Sequence, residues 1–141
     1  MIYVVDDEPM LLELTAIVLE PHGYKVECYG SPDAALRAYR AADSPPALMI
    51  IDYAMQNMTG LELAAACRKR IPQQKVLLIS GTVSQDILQD APVQPDHFLN
   101  KPYQAKQLIS AVECVLKVAS ILLCKIFEWV KGPVVVHSFK H

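Results

Sequence analysis

Leu48-Met49-Ile50-Ile51-Asp52 is four apolar residues closed by a carboxylate. The run is too short for a buried helix and has no polar alternation, so it predicts a strand covered on both faces. The same design recurs at Ile2-Tyr3-Val4-Val5 before Asp6-Asp7, and at Val76-Leu77-Leu78-Ile79 before Ser80-Gly81. The alternating stretch from Tyr24 to Tyr29, and His97-Phe98-Leu99 before Asn100-Lys101-Pro102, complete five strands. Helical signals lie between them. Leu11, Leu12, Thr15, Val18 and Leu19 recur at helical spacing after Pro9 and stop near Pro21 and Gly23. Ser31-Pro32 predicts a capped helix carrying Ala35, Leu36 and Tyr39, and Thr59-Gly60-Leu61-Glu62 a capping box that opens a helix through Arg70. A short helix is predicted near Ser84 to Gln89, before the proline-broken loop Ala91 to Pro95. Parallel strands need crossover helices, so the pattern predicts a doubly wound α/β domain with a five-stranded parallel sheet.

The 141 residues suit one domain of ordinary size, and 52% hydrophobic with 20% charged residues excludes disordered and fibrous chains. A net charge of -2 offers no bulk attraction for nucleic acid or an anionic membrane, and neither is an expected partner. Asp6, Asp7 and Glu8 follow Met1 too closely for a signal peptide, and no apolar run approaches a membrane span. Cys28, Cys67, Cys114 and Cys124 show no ligand or redox spacing and read as small apolar residues or idle thiols of a reducing cytoplasm.

Ligands of open α/β sheets bind outside the carboxyl ends of the strands. Asp6, Asp7, Asp52, Ser80 and Lys101 all fall just past strands, at that one edge. Taken singly they have plain readings: Asp6 and Asp7 as helix-end charges, Asp52 as a turn residue, Ser80 as a loop hydroxyl, Lys101 as a solvated cation. Together they make five coincidences. Two carboxylates 4 Å apart repel by roughly 4 kcal/mol at an effective dielectric near 20, so three must take up protons or recruit a cation. Mg²⁺ with oxygen ligands answers this, with Lys101 and Ser80 as donors to a phosphoryl group and Asp52 as the nucleophile.

Val4-Val5-Asp6-Asp7-Glu8-Pro9, Asp52 through Leu63, Ser80-Gly81 and Phe98-Leu99-Asn100-Lys101-Pro102-Tyr103 together resemble the receiver domains of two-component response regulators. The resemblance covers residues 1 to about 117. It implies a flavodoxin-like strand order of 2-1-3-4-5, Asp52 as the phosphoacceptor for a sensor histidine kinase, and signalling through a protein interface in the cytoplasm. It further implies Asp7 and Asp52 as direct Mg²⁺ ligands, Asp6 as a water-mediated one and the Ala54 backbone carbonyl as the third protein ligand. Lys101 would bind the phosphoryl oxygens, with a cis peptide to Pro102, and Ser80 and Phe98 would form the switch pair. Ala54 and Thr82 fall where family members tune phosphoryl lifetime. Two features depart from the family: Gln56 stands where proline is common, and Ala91 to Pro95 replaces a small turn, which predicts a short or distorted fourth helix. A phosphorylation-independent interaction module is the alternative. A Mg²⁺-dependent phosphatase is weaker, because Ala54 sits where a second acid would be needed.

Residues 118–141 extend beyond the expected domain. Leu108, Val112, Val115, Ala119, Leu122, Ile126 and Trp129 alternate in steps of four and three, a heptad seam on a helix from Gln104 to Lys131 about 42 Å long. Packing onto the same domain, a longer parent protein and self-association all fit. Self-association is favoured, giving a homodimer through the C-terminal helix, because Gly132-Pro133 ends the pattern cleanly.

Overall fold

The computed structural model describes residues 1–117, with the backbone alone for Gln85 and Ile87. Five strands alternate with helices: β1 (Ile2–Val5), α1 (Pro9–Leu19), β2 (Val26–Tyr29), α2 (Pro32–Ala41), β3 (Leu48–Asp52), α3 (Gly60–Arg70), β4 (Val76–Ser80), α4 (Gln85–Leu88) and β5 (His97–Asn100). Helix α5 begins at residue 105 and continues to the end of the described chain. Every strand pair is parallel and the order is β2-β1-β3-β4-β5, as the resemblance implied.

Strand alternation divides the core in two. Tyr3, Val5, Met49, Ile51, Val76 and Leu78 pack with α2, α3 and Leu88 of α4. Ile2, Val4, Leu48, Ile50, Leu77 and Ile79 pack with Leu19 of α1 and Leu108, Ala111, Val112 and Val115 of α5. The helix signals act as their chemistry predicts. The Ser31 hydroxyl accepts from the Ala34 N–H at 3.1 Å, and the Thr59 hydroxyl from the Glu62 N–H at 3.2 Å. A 3₁₀ turn at Glu20–His22 ends α1, closed by Gly23 at φ 89°, a left-handed conformation that glycine adopts without strain. Helix α4 is a single turn, consistent with the proline-broken loop behind it.

One expectation needs correction. Leu108, Val112 and Val115 are buried against the sheet, so the first half of the heptad seam is spent on the domain's own core. The rest of the seam, and the proposed dimer helix with it, lies outside the described residues. At the end of α3, Lys69 and Arg70 are exposed and Arg68 is partly buried. Arg68 donates to the carbonyls of Gln74 and Gln94 and to Asp96, while Arg70 donates to the carbonyls of Tyr39 and Ala42. Both guanidiniums tie α3 to neighbouring segments, a role that depends on partners remote in sequence.

Candidate functional site

All five predicted residues stand at the carboxyl edge of the sheet, but they do not form one contact set. Asp6, Asp52 and Lys101 share the strand parity that faces α1 and α5, whereas Ser80 has the parity of Val76 and Leu78 and faces the other way. Asp6, Asp7 and Asp52 bring carboxylate oxygens within 4.8 Å of one another. Lys101 reaches this group from two strands away. Its Nζ lies 2.9 Å from Asp52 Oδ1 and 3.8 Å from Asp6 Oδ2. The path crosses Gly81, where an added Cβ would stand 3.2 Å from the Lys101 Cβ, a tight approach, so a bare backbone eases the lysine stem across the end of β4. The Lys101-Pro102 peptide is cis.

The loop after β3 is equally tight. The Gly60 N–H donates to the Tyr53 carbonyl at 2.9 Å, and Asn57 takes a left-handed φ of 73°. A Cβ on Gly60 would meet the Asp52 carbonyl oxygen at 2.6 Å and Leu78 at 2.8 Å. Glycine therefore lets α3 start directly against the backbone of Asp52. Ala54 is exposed two residues beyond that carboxylate.

Neither Asp6 nor Asp7 caps α1, whose capping position is Glu8. Asp6 Oδ1 instead accepts from the Glu8 N–H at 2.9 Å, which aims its second oxygen at Lys101. Burial is the largest influence on Asp6. Although the Glu8 amide and Lys101 oppose it, the carboxyl is pushed up to about 6, with the Asp52 charge adding to the rise. Burial likewise raises Asp52 above the ordinary carboxylate range, against the pull of Lys101. For Lys101, burial alone would lower the ammonium, but the bond to Asp52 and the charges of Asp52, Asp6 and Glu8 outweigh it and hold it high. One cation thus leaves negative charge over.

Ser80 is fully buried, and its hydroxyl oxygen accepts from the N–H groups of Thr82 at 3.2 Å and Val83 at 3.0 Å. Its proton stays free to donate. Phe98 pairs with Leu78 in register and lies half-buried against the α2–α3 core. The motif reading assigned no part to Glu8 or Tyr103. Glu8 adds charge to the cluster, and the partly buried Tyr103, raised by burial, lines a groove with Thr15 and Lys101 beside it. Neither carried a spacing signal; Glu8 lies next to Asp7 along the chain, whereas Tyr103 comes beside the cluster only in the folded chain.

A family model described as the response regulator receiver domain matches residues 2–113. The chain belongs to this receiver family. Its transcriptional regulatory protein KdpE from Mycobacterium tuberculosis is 27% identical over 83% of this chain and 51% of its own length. This receiver chain spans about half the length of the curated relatives it matches. A receiver domain from Clostridium thermocellum superposes with a TM-score of 0.77 at 25% identity, over 86% of this chain and 97% of that one. The receiver domain of NtrX from Brucella abortus gives 0.71 at 30% identity, over 83% and 98%. Among the described residues of this receiver no helix is long and apolar enough to cross a membrane.

The receiver's acidic cluster fits the Mg²⁺ expected of it. Hard oxygen donors converge, three carboxylates outnumber the one lysine beside them, and Asp6 is held above its usual titration range, chiefly by burial and further by the Asp52 charge.

Proposed function

We propose that this receiver is a phosphoryl-accepting switch in which Asp52 takes a phosphoryl group from a sensor histidine kinase in a Mg²⁺-dependent reaction. The observation that carries the reading is Lys101 Nζ 2.9 Å from Asp52 Oδ1 beside two further carboxylates. An Asp52 oxygen forms the bond to phosphorus while the phosphorus–nitrogen bond of the donor's phosphohistidine breaks, and the imidazole keeps the electron pair. Asp7, Asp52 and the Ala54 carbonyl would hold the ion directly and Asp6 through water. When bound, the ion would balance the charge of the carboxylates and the incoming phosphoryl group. Lys101 donates to a phosphoryl oxygen, and Ser80, whose oxygen accepts from the loop amides, donates its free proton to another. Phe98 sits on the strand beside Ser80 and would follow its movement. Residues 1–117 form the switch and residues 118–141 an appended packing or self-association element. The signal would pass in the cytoplasm through protein contacts, and a net charge of -2 offers this chain no bulk attraction for nucleic acid.

Intact mass after incubation with Mg²⁺ and acetyl phosphate tests this. One added phosphoryl group is expected on the wild type and none on Asp52→Asn. An adduct on both would move the acceptor elsewhere. The second reading, an interaction module independent of phosphorylation, draws on the single-turn α4, which leaves little of that helix to carry a change. No adduct, with Mg²⁺ binding shown separately and no response to beryllofluoride, would favour it.

A further inference from the structure

The single turn of α4 is closed by a side chain from beyond it. Gln94 Nε2 stands 2.6 Å from the Leu88 carbonyl, 3.0 Å from that of Gln89 and 2.9 Å from that of Ala91. Three surrounding acceptors identify this atom as the amide nitrogen, whose two protons are shared among them. Pro92 has no N–H with which to continue the ladder from Leu88, so the turn is closed by the Ala91 N–H, at 3.0 Å, and by Gln94. The Gln94 peptide is held in turn. Its carbonyl accepts from Arg68 of α3, whose Nε also donates to the Gln74 carbonyl at 3.1 Å. One glutamine therefore ties the end of α4 to α3.

The other end of the same segment is held by Ser80, whose oxygen accepts from the N–H groups of Thr82 and Val83. Val83, Leu88 and Val93 pack against the α2–α3 core in between. Ser80 has the strand parity opposite to Asp52, so its hydroxyl must move to meet a phosphoryl group there. Because its oxygen holds two amides, the movement draws Thr82 and Val83 with it, and Ser84 alone separates Val83 from α4. Displacement at one clamp is resisted at the other.

We propose that Gln94 is a brake on the switch: its amide, gathered on three carbonyls at the end of α4, holds the segment from Thr82 to Ala91 in its unphosphorylated position and so opposes phosphorylation of Asp52. The inference rests on the phosphoacceptor reading. A bond made in one state and broken in the other stabilises the first, so its loss favours the second. Gln94 reaches the reaction only through the loop that Ser80 holds, which makes it a positioning residue.

Gln94→Met keeps the length of the side chain and removes the donor. In the full chain it should speed phosphorylation by acetyl phosphate and Mg²⁺ by about two- to tenfold, the range that one net hydrogen bond converts to, read as the initial rate of mass gain. The N–H groups of Gln89 and Ala91 bond the carbonyls of Asp86 and Leu88. Their exchange with solvent, followed by NMR, should quicken in the variant, and in the wild type on adding beryllofluoride. Gln94→Lys offers three protons to the three carbonyls and should return both rates toward the wild-type values. Faster exchange with an unchanged phosphorylation rate would leave Gln94 a structural tie and overturn the proposal. Slower phosphorylation, or exchange indifferent to Gln94→Met, would overturn it too. No adduct on either protein would remove the phosphoacceptor reading and the brake with it, whereas adducts formed at equal rates would remove the brake alone.

Discussion

At the amino edge of the sheet, Asp96 accepts from the Val76 N–H at 2.8 Å and pairs with Arg68 at 3.0 Å and Lys75 at 3.6 Å. At the carboxyl edge three carboxylates converge, and one cation, Lys101, reaches two of them, Asp6 and Asp52. The first arrangement gives one anion two cations and an amide, and it ties α3, β4 and the start of β5 together. The second leaves two of the three carboxylates with raised proton affinity in spite of the lysine. Neighbouring strands bring charges together at both ends. Of the two edges only the carboxyl one leaves carboxylates in excess of their cation, and unmet charge of that kind marks functional sites more often than satisfied ties do.

Substitutions that separate the two edges test this contrast, and the largest effect belongs to the acceptor. Asp52→Asn should abolish phosphoryl incorporation read by intact mass, while the melting temperature holds or rises because a repelling charge is gone. Lys101→Met comes next. Losing one donor aimed at developing charge should slow phosphorylation by acetyl phosphate on the order of 10²-fold, read as the initial rate of mass gain. Asp96→Ala should do the reverse. It strips a carboxylate from an amide and two cations, costing about 1–2 kcal/mol in urea unfolding, and leaves the phosphorylation rate unchanged. A change in that rate would show that the edges are coupled.

The smallest effect is a pH dependence. The Asp6 carboxyl binds its proton more tightly in the folded chain than in the unfolded one, where its ordinary value is 3.8. The associated stability is therefore complete below about pH 4 and is lost as pH rises through about 6. With allowance for solvent on the open side of the cluster, the loss is on the order of 1–2 kcal/mol. Melting temperatures without divalent metal should fall over this interval, Asp6→Asn should flatten the fall, and Mg²⁺ should offset it at neutral pH by binding the folded state. A profile equally steep in Asp6→Asn would assign the pH dependence to another group.

The elements were legible because their signals are local. Apolar runs of four residues ending on polar ones, Ser31 before Pro32 and Thr59 three residues ahead of Glu62 each act within one or two turns of chain, and each reappears in the structure. The short α4 was legible for the same reason, through its prolines. Reading all five polar residues at one edge needed only the parallel topology. What misled was periodicity without a partner. The seam from Leu108 looked like a surface for another helix, yet its first three positions face the sheet, because a period near 3.5 describes a core-facing stripe as well as a coiled coil. The ties made by Arg68 and Arg70 had no local signal, because their acceptors at residues 39, 42, 94 and 96 lie a long way off in sequence.

The sequence by itself determined the number and order of elements, the parallel sheet and the five residues at its carboxyl edge, since hydrophobic periodicity and capping chemistry are properties of neighbours along the chain. Tertiary structure decided which of the five touch. It set Lys101 across Gly81 onto Asp52, turned Ser80 to the opposite face, let Gly60 bring α3 against the acceptor's backbone, and raised Asp6 by burial. Those outcomes depend on strand register and on the exclusion of water, both set by the packing of segments distant in sequence.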